Sequence, residues 1–150
     1  MIADCIPLAI YDPKNKVIAL IHCSWKNLDK LIIPKVIKKI VKEFGSASKD
    51  LIVEFGPSLG PCCYKNLPEL KQKDDPKWRP YIFKAADKTY TIDIWGVTQN
   101  QLLLSGLLEK NINNPKICTY YSHEYFSYRK MRVEGTEDNF RFAAVLGMKK

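Results

Sequence analysis

The stretch that decides the fold is ADCIPLAIYDPKNKVIALIHCSWK, residues 3–26. Two short aliphatic runs, Ile6–Tyr11 and Val17–His22, flank Asp12-Pro13-Lys14-Asn15. Runs of this length and composition read as buried strands. Asp followed by Pro is type I turn chemistry, so the spacing predicts a tight hairpin with residues 12 to 15 in the loop. In that register Tyr11 faces Lys16 and Cys5 lies directly opposite His22. Opposed residues hold their Cβ atoms about 5 Å apart, whereas a slip of one residue would send one of them to the other face.

Outward from the hairpin the period changes. Ile33, Val36, Ile37, Ile40, Val41 and Phe44 repeat as one face of a helix, with Lys35, Lys38, Lys39 and Lys42 opposite. Pro34 is tolerated near a helix start, and Gly45 supplies a stop. Leu51–Phe55 reads as a strand, and Gly56 to Pro61 as a loop. Residues 65 to 80 are polar and proline-punctuated, which predicts an irregular excursion. Lys88–Ile92 alternates like a strand. Asp93 is placed to cap a helix reaching about Lys110, with Leu102, Leu103 and Leu107 inward. Ile117–Tyr121 and Phe140–Leu146 read as closing strands. This alternation of strands and helices predicts an α/β class, and 150 residues suit one domain spanning 1–150.

The formal charge is +8, carried mostly by lysine, with only four arginines. A solvated lysine-rich surface accounts for this, and an anionic small substrate such as phosphate suits it equally. Nucleic-acid binding is not expected, because zinc-finger spacing, an aromatic RNA-recognition signature and a dense arginine cluster are all missing. No run approaches the roughly 20 apolar residues of a membrane span, and no secretory signal is legible. Five cysteines, at 5, 23, 62, 63 and 118, are an odd number, which argues against a disulfide framework. A reducing, cytoplasmic setting is the expectation.

Thiolate and imidazole are ligands that zinc prefers, and a catalytic zinc keeps three protein ligands and one open position. Cys5 and His22 would supply two. From spacing alone, a buried cysteine beside a core histidine is the favoured reading of the pair, and a Cys–His hydrolase is a further alternative. Gly56 to Tyr64 could present backbone N–H groups to an anion or form a tight turn packing Tyr64. Arg129 could grip an oxyanion with its planar fork or form a surface ion pair. His123 reads as an exposed loop histidine. Cys62 and Cys63, being adjacent, cannot both face one side of an extended chain, so they read as packing residues.

Several ordered segments share one resemblance. Ala3-Asp4-Cys5-Ile6-Pro7-Leu8 is similar to an "ADC-x-P" strand, and His22-Cys23-Ser24-Trp25-Lys26 to an "H-A-G-W-R" segment. Gly56-Pro57-Ser58-Leu59-Gly60-Pro61-Cys62-Cys63-Tyr64 resembles a "GPSIGPCCY" loop. Asp93-Ile94-Trp95, Gln101-Leu102, Cys118-Thr119 and Phe126-Ser127-Tyr128-Arg129 follow in order. Together they resemble the C-terminal part of the laccase-domain (YfiH-type) purine nucleoside phosphorylases, formerly described as polyphenol oxidases. The resemblance implies a four-layer α/β/β/α sandwich with mixed sheets. It implies zinc, with copper as the alternative ion, and it makes Cys5 and His22 metal ligands.

The implied activity is phosphorolysis of adenosine, inosine, guanosine and methylthioadenosine, with adenosine deamination beside it. Arg129, with Cys5 and His22, would be catalytic; Lys26, Gly56, Ser58 and Arg129 would bind substrate or phosphate. The family carries an N-terminal portion whose Q-x-H segment supplies the first zinc histidine, and this sequence is expected to lack it. A homodimer or a complementing N-terminal fragment is then the expected partner, and an inactive remnant or split subunit the rival. Lys26 stands where the family has Arg, and lysine does not reproduce a bidentate phosphate contact. Ser24 and Asn27 replace glycines, with crowding of the backbone expected.

Overall fold

The two aliphatic runs pair as an antiparallel hairpin, β1 (Ile6–Asp12) and β2 (Val17–Cys23). This is seen in a computed structural model that describes residues 1–65, 71–137 and 140–149. The register differs from the expected one by two residues: Asp12 faces Val17, and His22 faces Pro7 instead of Cys5. The cause is Asp12. It stays paired as the last strand residue while its carboxylate accepts the N–H groups of Lys14 and Asn15 at 2.8 and 3.1 Å. The loop therefore moves to residues 13–16, and Lys16 closes it with φ 52°, in the left-handed region. A two-residue slip preserves the side of the sheet, but β1 starts only at Ile6, so Cys5 lies beyond the ladder.

Ser24 then caps α1 (Trp25–Asp29), its hydroxyl accepting the Asn27 N–H at 3.2 Å. Asn27 Nδ2 in turn donates to the His22 carbonyl at 2.9 Å. The two residues that replace glycines thus fasten the helix start. In α2 (Ile32–Phe44), Ile33, Ile37 and Ile40 are buried, and Gly45, at φ 66°, returns its N–H to the Val41 carbonyl, a left-handed C-terminal stop. β3 (Ile52–Phe55) pairs antiparallel with the free edge of β1, Phe55 opposite Leu8.

A separate two-stranded ribbon, β4 (Ile82–Lys84) and β5 (Tyr90–Ile92), precedes α3 (Ile94–Leu104). Asp93 caps α3, accepting the Gly96 N–H at 2.9 Å. The helix ends well before Lys110, because Gly106 turns left-handed at φ 89° and Ser105 Oγ donates back to the Gln101 carbonyl. Leu102 and Leu107 are buried as expected, but Leu103 is 38% exposed. β6 (Ile112–Asn113) pairs parallel with β3, completing a mixed sheet of order β2-β1-β3-β6. α4 (Tyr128–Glu134) follows, capped by Ser127.

The expected closing strands reduce to single bridges, Cys118 with Ser58 and Phe142 with Ile2. Of the excursion, residues 66–70 lie outside the described residues; Lys71–Asp74 and Arg79–Tyr81 are short 3₁₀ turns.

Ile6, Leu8, Ile10, Ile21, Val53 and Phe55 point from one face of the sheet into a core with residues of α2 and α3. On the opposite face Tyr11, Leu20 and Ile52 are 37%, 43% and 45% exposed. The α/β class with a mixed sheet holds, and the described residues build a helical layer on one face of that sheet. No helix among them is long and apolar enough to cross a membrane.

Candidate active site

Asp4 holds the site together. Its φ of 74° turns the chain sharply ahead of β1, a conformation Asp tolerates better than most residues. One carboxylate oxygen accepts the Thr119 hydroxyl and the other the Arg129 backbone N–H, both at 2.7 Å, while the Asp4 carbonyl accepts the Leu59 N–H at 2.9 Å. The Arg129 N–H is one of the orphan donors of the first turn of α4. A single residue thus ties the N-terminal segment to the Gly56–Tyr64 loop, to Thr119 and to α4.

The N-terminal segment, α1, the Gly56–Tyr64 loop and α4 line an open cavity of about 630 Å³, with Cys5, Lys26, Tyr64 and Arg129 among its walls. That volume falls in the range of small-molecule pockets. Three cationic side chains, Lys26, Arg129 and Arg132, meet one carboxylate, Asp4, in the lining. Trp25, Tyr64 and Tyr128 supply aromatic surface. Lys26 Nζ sits 5.6 Å from the Trp25 ring centre, and the Arg129 guanidinium carbon 5.5 Å from that of Tyr64. Arg129 Nη1 donates to the Lys65 carbonyl at 2.8 Å, which orients the guanidinium. Burial pushes the Tyr64 phenol up to about 12, the Cys5 thiol adding to the rise and Arg129 opposing it. Burial, and then the Asp4 charge, also raise the Cys5 thiol.

The other expected site residues fall elsewhere. His22 is exposed and outside the cavity lining. The Gly56 N–H is donated to the Pro7 carbonyl and the Ser58 N–H to the Ile117 carbonyl, so neither is free for an anion. Buried Ser58 Oγ accepts the Trp95 indole N–H at 2.7 Å. His123 is exposed. Among the described residues no His, Cys, Asp or Glu completes a group of three with Cys5 or His22.

Cys62, Cys63 and Cys118 are different. Their sulfurs all lie within 4.8 Å of one another, a spacing that could hold a metal ion. The packing role read for the adjacent pair assumed an extended chain. Here the Cys63 and Tyr64 N–H groups both return to the Gly60 carbonyl, and this turn brings the two neighbouring sulfurs to 3.3 Å. Adjacency in sequence carried no such signal, and Cys118 is remote from both.

Comparison with known proteins agrees with the geometry of the fold. A relative from Bacteroides thetaiotaomicron, named purine nucleoside phosphorylase, is 32% identical over 139 residues, covering 88% of this chain and 51% of its own length. One of the same name from Borreliella burgdorferi is 36% identical over 132 residues, covering 87% and 57%. The crystal structure of YlmD from Geobacillus stearothermophilus superposes with a TM-score of 0.78 at 25% identity, over 87% of this chain and 50% of that one. The chain spans about half the length of these relatives. The family model described as multi-copper polyphenol oxidoreductase laccase matches residues 1–149, and the chain belongs to that family.

Proposed function

We propose that the cavity takes a purine nucleoside with inorganic phosphate, and that the chain serves in phosphorolysis of adenosine, inosine, guanosine and methylthioadenosine, with adenosine deamination as an accompanying activity. The observation that carries this is the convergence of Lys26, Arg129 and Arg132 with Trp25, Tyr64 and Tyr128 on one cavity. Cations suit phosphate, and aromatic faces suit a base. The names of the relatives point the same way.

In phosphorolysis a phosphate oxygen attacks the ribose C1′. The C1′–N bond breaks, and its electron pair leaves with the base. Lys26 and Arg129 would position the phosphate and balance its charge, and the neutral Tyr64 phenol would donate a hydrogen bond to substrate. Cys5 and His22 are the proposed metal ligands from this chain, and their donor atoms fit zinc, with copper the alternative. They are two of the three that a catalytic zinc takes, so a complementing N-terminal segment or a second copy would bring the third. Zinc bound there would supply Lewis acidity. The free thiols suit a cytoplasmic location.

Cysteine hydrolysis is less well supported. A Cys–His hydrolase needs a third group to orient its imidazole, and among the described residues no side-chain hydrogen bond reaches the His22 ring.

The test is phosphate-dependent release of free base and ribose 1-phosphate from inosine, with ammonia release from adenosine followed in parallel. The chain is assayed alone and with the N-terminal half of a relative. Arg129→Ala or Lys26→Ala should raise the KM for phosphate by about tenfold, the loss of one charged hydrogen bond. No phosphate-dependent base release under either condition would refute the proposal.

A further inference from the structure

We propose that Cys62, Cys63 and Cys118 form a second metal site, outside the cavity, that takes a soft thiophilic d¹⁰ cation, zinc(II) or copper(I), and clasps the Gly60–Tyr64 turn to the segment around Cys118. This stands independently of the nucleoside reading.

The sulfurs are already at ligand spacing. Cys62 Sγ lies 3.3 Å from Cys63 Sγ and 3.8 Å from Cys118 Sγ. Two thiolates on a tetrahedral zinc with Zn–S bonds of about 2.3 Å are roughly 3.8 Å apart. Small side-chain rotations would therefore suffice to seat an ion.

Both backbone segments are fixed independently of any ion. The Ser58 N–H donates to the Ile117 carbonyl and the Thr119 N–H to the Ser58 carbonyl, each at 3.1 Å, which sets Cys118 beside the loop. The Gly60 N–H donates to Cys118 Sγ at 3.3 Å, the kind of outer contact that orients a thiolate ligand. Gly60 is required there, because a Cβ would lie 2.8 Å from the Trp95 ring and 3.3 Å from Cys62 Sγ.

An all-sulfur donor set selects soft ions over magnesium or calcium. Cys62 is exposed and gives the ion a way in, while Cys63 is buried. Among the described residues no His, Asp or Glu joins the three thiols. Copper(I) is satisfied by three sulfurs, whereas zinc would add water or the oxygen of the neighbouring Tyr121. Each thiol that ligates releases its proton to solvent. Tyr64, on the same turn, lines the large cavity, and Cys63 shares a smaller one of about 220 Å³ with Arg129. Loading the cluster would therefore stiffen the wall that carries Tyr64.

The test uses the reduced chain carrying Cys5→Ala and His22→Ala, so that only this cluster is counted. Cobalt(II) is the spectroscopic probe for the zinc arm; copper(I) is titrated anaerobically against a chelator. One ion per chain with a thiolate-to-metal charge-transfer band is expected, with affinity about tenfold or more weaker after Cys118→Ser or Cys62→Ser. If those variants fail to fold by circular dichroism, alkylation of the unsubstituted chain decides. The ion should slow iodoacetamide labelling of Cys62 and Cys118 about tenfold at an occupied site. The proposal is overturned by substoichiometric binding, by undiminished binding in a folded Cys118→Ser chain, by absent protection, or by a Cys62–Cys118 disulfide forming in place of metal uptake.

Discussion

Replacing Asp4 should loosen the cavity from one corner. The carboxylate accepts the buried Thr119 hydroxyl and the Arg129 N–H, each at 2.7 Å. Hydrogen bonds to charged groups contribute about 1.5–3 kcal/mol each, and solvent at the half-buried Asp4 places both toward the lower end. Asp4→Ala loses both bonds and also sets alanine at φ 74°, a left-handed conformation costing about 1 kcal/mol. The expected destabilisation is about 3–4 kcal/mol. Asp4→Asn keeps one acceptor oxygen and tolerates the left-handed backbone, so it should cost about half as much. Urea denaturation followed by far-UV circular dichroism measures the difference. Hydrogen exchange at the Arg129 amide should show that α4 loosens before the sheet does. Equal destabilisation by the two variants, or a loss below about 0.5 kcal/mol for Asp4→Ala, the level of an ordinary surface substitution, would refute the reasoning.

Two further outcomes are expected. In Gly56→Ala the new Cβ would lie 2.5 Å from Pro7 Cγ and 3.1 Å from the Pro7 carbonyl oxygen; overpacking of this kind costs about 1–3 kcal/mol, and calorimetry should show Tm lowered by roughly 2–4 °C per kcal/mol. The Asp12 carboxyl is held at about 2, below its ordinary 3.8, by the Ser46 hydroxyl first and by Asn15 and the Lys14 N–H after it. Because the unfolded chain takes up that proton first, the contribution is whole above pH 3.8 and is lost as pH falls toward about 2. Urea midpoints between pH 5 and pH 2 should fall less steeply in Asp12→Asn, and parallel slopes in the two proteins would count against the assignment.

Much of the frame was legible because its signals are local. The aliphatic runs, the lysine-faced period of α2, the left-handed Gly45 and the Asp93 cap each need only a few neighbours to be read. The hairpin register was not, because Asp12 serves as strand residue and turn acceptor at once, and pattern alone does not say which side of the loop boundary it occupies. Ile117–Tyr121 and Phe140–Leu146 have strand composition, yet each finds only one bridging partner; a strand exists through its neighbour, which composition does not specify. The site was legible in part. Cys5, Lys26 and Arg129 do share a cavity. The tethering role of Asp4 is not legible, because its partners lie 115 and 125 residues away, and the sulfur cluster is hidden because alternation rules stop applying once Gly60 turns the chain.

That remoteness bears on how the chain folds. The hairpin, α2 and β3 join stretches close in sequence, whereas the walls of the cavity meet only when Asp4 finds Arg129 and Ile2 finds Phe142. Closing loops that span most of the polypeptide is slow in comparison with local pairing. The nascent domain should therefore acquire its sheet early and its cavity last, after α4 has been synthesised.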